Sequence, residues 1–393
     1  MIIDGAADLP VEALGNKSPF EYGQIPNIDY LALKGKTGLM QTLYPGLPLG
    51  SIVANLGILG YNPLIYYPNG RASFEALAQG IELQENQIVF RCNLVSLFDG
   101  RLKDFTAGNI DERDARNIIE NIELMDNGLK IFPSQSYRNL LIAEDVHCEP
   151  ADLLCSEPHM NVGEKIEGLL IKSRSETSIE FAKKLNMFMM NSVSKIRVLN
   201  RKFRTFADML FLWSPSTKPS IPIFREKYGI DGAIIAGIDF LRGIGIAAGM
   251  ESNKIEGTTG YSDTDLQAKL TCAINSFRYN DLVFVHVNAP DEESHNKDIN
   301  GKVSIIERID RELIGPFKEC LDEQYAGKYR VAILPDHYTL LKDGKHSDQA
   351  VPYLLYGKGV QPDDVRTFCE NSVAQQCNTI TKSYKFMEHF INY

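Results

Sequence analysis

At 393 residues the chain is long for a single core, and with 44% hydrophobic and 23% charged residues its composition is that of an ordinary globular protein of two domains. A formal net charge of -10 gives no electrostatic reason to expect nucleic acid or an anionic membrane surface as a partner, so an anionic substrate would have to be held by metal ions or local arginines. No apolar run approaches the ~18 residues of a membrane-spanning helix, and the opening MIIDGAADLP lacks the regions of a signal peptide. Seven cysteines, an odd number with no C-x-x-C pair, fit reduced thiols and a cytoplasmic location.

Met1-Ile2-Ile3 predicts a short first strand ended by Asp4-Gly5. So short a strand leaves room for the natural start to lie a few residues upstream. Pro26 to Leu33 has helical spacing, with Asn27 as its candidate cap. In TLYPGLPLGSIVANLGILGYNP, glycines and prolines surround Ser51 before a helix-like run. A serine there is an N-cap in its ordinary role, yet the same placement exposes a hydroxyl beside an anion-friendly helix N-terminus.

From residue 66 to 200 the texture changes. Gln87 to Val95 alternates as a half-buried strand, and helices are expected over Asp111 to Leu124, where Asp111 caps, and over Ser178 to Val193. Arg91, Asn93, Arg138 and His159 are polar positions in this stretch whose ordinary role is as surface groups. Strand and helix then alternate again: strands at Asp208 to Trp213 and Gly232 to Gly237, helices at Phe224 to Tyr228, 243 to 250 and from Asp263. Later come a strand at Leu282 to Val287, an amphipathic helix through Val303, Ile306, Ile309, Asp310 and Leu313, and strands at Val331 to Pro335 and Tyr353 to Tyr356. Apolar strands alternating with helices predict an α/β fold with a mostly parallel sheet covered on both faces.

Two strand ends carry chemistry. VAILPDHYTLLKDGKH runs a strand into Asp336-His337, with His346 nine residues on, and VFVHVNAPDEESH runs another into Asp291 and His295 at i, i+4. That spacing points both side chains one way on a helix, and open α/β sheets bind ligands beyond the carboxyl ends of their strands. An Asp-His pair is ordinarily a turn and D-x-x-x-H a solvated face, but three of the seven histidines fall within residues 291 to 346. Together they read as a divalent metal centre, possible as a binuclear one, with oxygen and nitrogen donors that suit Mn, Mg or Zn and no thiolate. Asp4 ends its strand as Asp336 does and is a further candidate.

The stretches IIDGAAD, PNIDYLALKGKTGLM, PGLPLGSIVANLGILGYNP, GIELQENQIVFRCN, IEGTTGYSDTD, FVHVNAPDEESH, GKVSIIERID, LPDHYTL and KHSDQAVPYLLYG resemble, in order and across nearly the whole chain, the archaeal-type cofactor-independent phosphoglycerate mutases of the alkaline phosphatase superfamily. The resemblance implies an alkaline-phosphatase-like core (1–65 and 201–393) with a smaller α+β domain inserted at 66–200 to cover the substrate. It makes Ser51 the nucleophile that becomes phosphoserine. One metal would be held by Asp4, Ser51, Asp336 and His337, the other by Asp291, His295 and His346. Manganese is the first choice, with magnesium, zinc or cobalt as alternatives. Arg91 and Asn93, and with less support Arg138 and His159, would lie on the substrate side, the substrate being phosphoglycerate. The sequence implies no particular oligomeric state.

Against the usual family pattern, Ile52 replaces an Asp, Asn109 an Arg, Asn288 a Lys, Ser294 a Gly, and Trp213-Ser214 stands for Trp-Gly. All the implied ligands are kept while several implied substrate contacts are not. A phosphatase or phosphotransferase acting on another small phosphorylated metabolite is the alternative enzyme, and a binding module that has lost catalysis is the non-enzymatic one.

Overall fold

The computed structural model describes residues 1–122, 128–144, 146–376 and 378–393, and the chain forms two compact units, Met1–Tyr67 with Ser220–Tyr393, and Pro68–Pro219. In the first unit, strands Gly232–Ile235, Leu282–Val287 and Ile2–Ile3 pair in parallel. The Ile3 N–H donates to Leu334 O (3.0 Å) and carries parallel pairing on to Arg330–Ile333. Val351–Gly357 runs antiparallel to both Arg330–Ile333 and Lys36–Met40, and Thr379–Ile380 lies parallel to the latter. Among the described residues one strand of this sheet is reversed, so it is mostly parallel, as its continuous apolar strands predict.

Alternating side chains cover the two faces. Ile3, Val285, Val287 and Ile333 pack with Ile28, Leu31, Leu270, Ile305 and Ile309 from helices Pro26–Leu33, Leu266–Ser276 and Ile299–Ile309. On the other face Ile234 meets Gly245 of helix Asp239–Ala247. An apolar cavity of about 330 Å³ lies at the amino-terminal edge of the sheet, against Met1, Leu282 and Arg330. The chemistry-bearing residues lie at the opposite edge. No helix among the described residues is long and apolar enough to cross a membrane, and the six described cysteines are free thiols.

The second unit is α+β. Strand Ile88–Phe98 pairs antiparallel with Arg101–Asp104, Arg138–Ala143 and Met209–Ser216, and Leu129–Pro133 extends the sheet beyond Arg138–Ala143. Helices Glu112–Asn121 and Ile179–Phe203 close its core through Ile118, Leu185, Met189 and Ile196. Asp111 caps the first of these, accepting from the Asp114 N–H at 2.8 Å; the end expected for that helix, at 123 and 124, lies outside the described residues.

Two expectations are corrected. A boundary at residue 200 falls inside helix Ile179–Phe203, and the strand expected to open the second half of the core, Met209–Ser216, belongs to the smaller unit, where Leu212 and Trp213 oppose Cys92 and Arg91. Strand pairing across such a sequence distance is a tertiary choice that a local alternating pattern leaves open. Nor does Asn27 cap helix Pro26–Leu33. Pro26 takes the first helical position, so Asn27 is already inside the turn, and the cap comes from Asp310. Its carboxylate accepts from Ile28 N (2.8 Å), Asn27 N (3.2 Å) and Asn27 Nδ2 (2.9 Å). Asp310 is placed for this by the π-turn Asp310–Ile314 that follows helix Ile299–Ile309.

Asp310→Ala leaves those amides unpaired and is expected to lower the unfolding free energy by about 2–4 kcal/mol. Urea denaturation measures it, and a loss under about 0.5 kcal/mol would remove Asp310 as the cap.

Candidate active site

Four loops at the carboxyl edge of the parallel sheet bring the residues of the first unit together. Asp4 follows strand Ile2–Ile3, its N–H bound to Val287 O at 3.0 Å. Gly5 then turns with φ +61°, and a Cβ there would meet Asp291 Oδ1 and Thr339 Oγ1 at 2.6 Å, so only glycine lets these loops close up. Asp336 is fixed by three donors: Gly5 N (3.1 Å) and His337 N (3.0 Å) to Oδ1, and Asn55 Nδ2 (2.8 Å) to Oδ2. Asp291 and His295 lie on helix Ala289–His295, whose i, i+4 spacing brings Oδ2 and Nε2 to 3.2 Å. His346 lies in the second strand of the hairpin Tyr338–Leu340 and Lys345–Ser347, opposite Thr339, and His337 directly precedes the first, with the two ring centroids 4.1 Å apart.

Ser51 opens helix Ser51–Ile58, but Gly50 holds the cap position and no side chain caps the helix. The Ser51 hydroxyl is therefore not spent on its own helix. It lies 3.1 Å from His337 Nε2 and 3.5 Å from Asp4 Oδ1. Asn55, one turn on, bonds Ser51 O (2.8 Å) as well as Asp336 and locks the helix start to the strand end.

All seven residues named in this region thus gather, in two donor sets. Asp4 Oδ1 lies 3.4 Å and Asp336 Oδ2 3.7 Å from His337 Nε2. In the other set Asp291 Oδ1 is 3.3 Å from His346 Nε2, and the Nε2 atoms of His346 and His295 are 3.2 Å apart. Donors on one tetrahedral ion at ~2.0–2.2 Å lie about 3.3 Å from each other. Asp4, Asp336 and His337 form one group able to hold an ion, and Asp291, His337 and His346 another, so His337 touches both. Asp4 Oδ2 is buried without a hydrogen-bond partner. A buried bare carboxylate oxygen amid oxygen and nitrogen donors fits a hard or borderline cation.

The electrostatics follow from burial. Asp4 is pushed well above the usual carboxylate range by burial, then by Asp336 and Asp291. Burial also opposes ionisation of Asp291, but hydrogen bonds from His295 and His346 outweigh it and hold that carboxyl well below its ordinary value. Burial lowers His337. It works against His295 too, where the bond to Asp291 wins and raises the imidazole to about 9.

Three further residues belong here and were not singled out from sequence. Asn55 could have been found as the i+4 neighbour of Ser51 on one helix face. Thr339 is the i+2 neighbour of His337, with Oγ1 2.6 Å from Asp291 Oδ1. His286, fully buried, sets Nε2 3.3 Å from Asp4 Oδ2, and burial lowers it to about 3, so it is a neutral neighbour. Its signal was a polar residue in an otherwise apolar strand.

In the second unit Arg91, Asn93 and His159 gather on Trp213. The Arg91 guanidinium stacks 4.4 Å from the indole and pairs with Glu75 at 3.0 Å. His159 lies 5.5 Å from the same ring and 3.2 Å from Glu157. Asn93 is 2% exposed and accepts from Trp213 Nε1 (3.0 Å) while donating to Phe105 O (3.3 Å), so its amide holds the indole in place. Arg138, opposite Asn93 in the sheet, lies over Tyr137 at 4.5 Å. Ser214 adopts φ +52°, a left-handed position where glycine would sit without strain.

A family model for 2,3-bisphosphoglycerate-independent phosphoglycerate mutase matches residues 32–199. The mutase of that name from Methanosarcina barkeri is 38% identical over 380 residues, 95% of this chain and 93% of that protein. The chain belongs to this family of mutases. A second mutase relative, from Methanothermobacter thermautotrophicus, is 36% identical over 401 residues, covering 99% of this chain and 95% of its own. The fold is that of the cofactor-independent phosphoglycerate mutase of Thermoplasma acidophilum (TM-score 0.64, 24% identity, 100% of this chain and 97% of that one). A solved protein of Pyrococcus horikoshii superposes with TM-score 0.80 at 26% identity over 100% of this chain and 95% of its own.

With chelator present, His295 is expected to titrate near 9. Its pKa is raised above an unfolded value of about 6.5, so the stability it contributes is full below that and is lost as pH rises through about 9. Histidine NMR and thermal melts between pH 6 and 10 read both; a midpoint near 6.5 would contradict the ion pair with Asp291.

Proposed function

We propose that this mutase-family chain interconverts 2-phosphoglycerate and 3-phosphoglycerate through a phosphoserine at Ser51, with two divalent ions, manganese first, at its two donor sets. The observation that carries the reading is a serine hydroxyl free of capping duty, 3.1 Å from His337 Nε2, with Asp4, Asp291, His295, Asp336 and His346 within the same cluster. Asp4, Ser51, Asp336 and His337 would hold one ion, and Asp291, His295 and His346 the other. Divalent ions there would supply Lewis-acid stabilisation of phosphoryl oxygens and a lowered serine pKa.

The rest is done by the chain. Ser51 Oγ forms the new O–P bond as the bond to the substrate oxygen breaks, the proton that Ser51 gives up ending on that oxygen, and the phosphoryl group then sits at the N-terminus of helix Ser51–Ile58, where backbone N–H groups and the helix dipole favour a dianion. Asn55 keeps Ser51 in register with Asp336. Glycerate turns and its other hydroxyl takes the phosphoryl group back. Arg91, Arg138 and His159 are read as the groups that hold the glycerate carboxylate and hydroxyls, with Asn93 fixing Trp213 beside Arg91 and His159. The second unit's task is to retain glycerate and exclude water, because attack by water would turn transfer into hydrolysis. This is a cytoplasmic, glycolytic reading, supported by free thiols.

A second reading, a phosphatase acting on another small phosphorylated metabolite, is favoured by one observation. Asn288, in place of the lysine of the usual pattern, spends its amide on Gly260 O (3.1 Å) and Glu292 (3.4 Å) and offers an anion no charge. An enolase-coupled assay with added Mn²⁺ against phosphate release from a panel of phosphomonoesters separates the two. Mutase flux above phosphate release supports the first; release without flux overturns it.

Ser51→Ala is expected to abolish turnover and the phosphopeptide seen by mass spectrometry, with melting unchanged. Arg91→Ala is expected to lower kcat/KM by about 100-fold, as for a lost charge-assisted contact of ~2–3 kcal/mol, while Mn²⁺ affinity holds. An unchanged kcat/KM would remove Arg91 from the substrate side.

A further inference from the structure

Thr339 is fully buried and touches both donor sets. Its Oγ1 lies 2.6 Å from Asp291 Oδ1 and 3.1 Å from His337 Nδ1. The backbone cannot drift: Thr339 N donates to Ala7 O (3.2 Å), and Thr339 O accepts from the buried Lys302 ammonium (2.8 Å), itself paired with Asp8 at 2.8 Å. Bare Gly5 leaves the space that this hydroxyl fills.

A proton count then fixes the ring opposite. A threonine hydroxyl has one proton, and an ionised carboxylate can only accept. The proton therefore goes to Asp291, and the hydroxyl oxygen offers His337 only lone pairs. His337 Nδ1 must be the N–H partner, which in the neutral ring leaves Nε2 as the atom with a lone pair, and Nε2 is the one 3.1 Å from Ser51 Oγ and 3.4 Å from Asp4 Oδ1.

We propose that Thr339 is a positioning residue that holds His337 in its Nδ1–H tautomer, so that Nε2 faces Ser51 and Asp4 as a donor of electrons, and that ties this ring to Asp291 in the neighbouring set. Metal-ligating histidines behave in this way when their second nitrogen is held by an oxygen; here one hydroxyl serves both sets. The consequence for affinity rests on the metal reading above, while the tautomer does not.

The test uses the full chain with ¹⁵N-labelled histidine and chelator. His337 is expected to show a protonated Nδ1 and a bare Nε2 in the wild type and in Thr339→Ser, and to lose that preference in Thr339→Val, which removes the hydroxyl at nearly constant shape. Calorimetric titration with Mn²⁺ alone and with Zn²⁺ alone is expected to show affinity about 10- to 100-fold weaker for Thr339→Val and restored in Thr339→Ser. A wild-type His337 protonated at Nε2, or a Val variant with wild-type tautomer and affinity, overturns the proposal. If the Val variant does not fold, the wild-type and Ser spectra still decide it. A wild type that binds neither ion defeats the metal reading, and the spectrum decides the tautomer all the same.

Discussion

Three buried aspartates, Asp4, Asp291 and Asp336, share one small volume at the carboxyl edge of the first unit's sheet. Like charges taken out of water repel strongly and are tolerated only when hydrogen-bonded or balanced by positive charge. The surrounding architecture answers that requirement residue by residue. Backbone N–H groups of Gly5 and His337 and the Asn55 amide serve Asp336, two imidazoles and a hydroxyl serve Asp291, and one oxygen of Asp4 is left bare. That oxygen has no hydrogen bond, only the neutral His286 ring 3.3 Å away, which suits the cluster to a cation.

Parallel strand order explains why such distant residues meet. Ile2–Ile3 lies between Leu282–Val287 and the strand leading to Leu334, so the loops after these strands emerge side by side at one edge, as open α/β sheets require. The smaller antiparallel unit has its own core and its own polar focus, Trp213 with Arg91, Asn93 and His159. The matches that place the chain in the mutase family span both units.

What was legible in the sequence was whatever depends on short-range pattern. The apolar strands ending in Asp4, Asp336 and Asn288-Ala289, and the i, i+4 pair Asp291 and His295, could be read directly, because strand ends and helix faces are periodic features. Caps and pairings that cross the chain could not. Asp310 caps a helix that begins at Pro26, and nothing near Asn27 signals it. Met209–Ser216 looks like any core strand until its partner Ile88–Phe98 is known. Thr339 and Asn55 lay at readable spacings from His337 and Ser51, but their importance appears only when two loops face each other.

The hairpin Tyr338–Leu340 and Lys345–Ser347 has three residue pairs of its own, with His346 within it and His337 directly before it. So short a ladder is held less by its own pairs than by the bonds of Thr339 to Ala7 and Lys302. Loosening those ties would move His337 and His346 together, so one element sets the position of an imidazole in each donor set. Any species that engages the closed form alone would be felt there first, as slower amide exchange in the hairpin well before the global melting point moves.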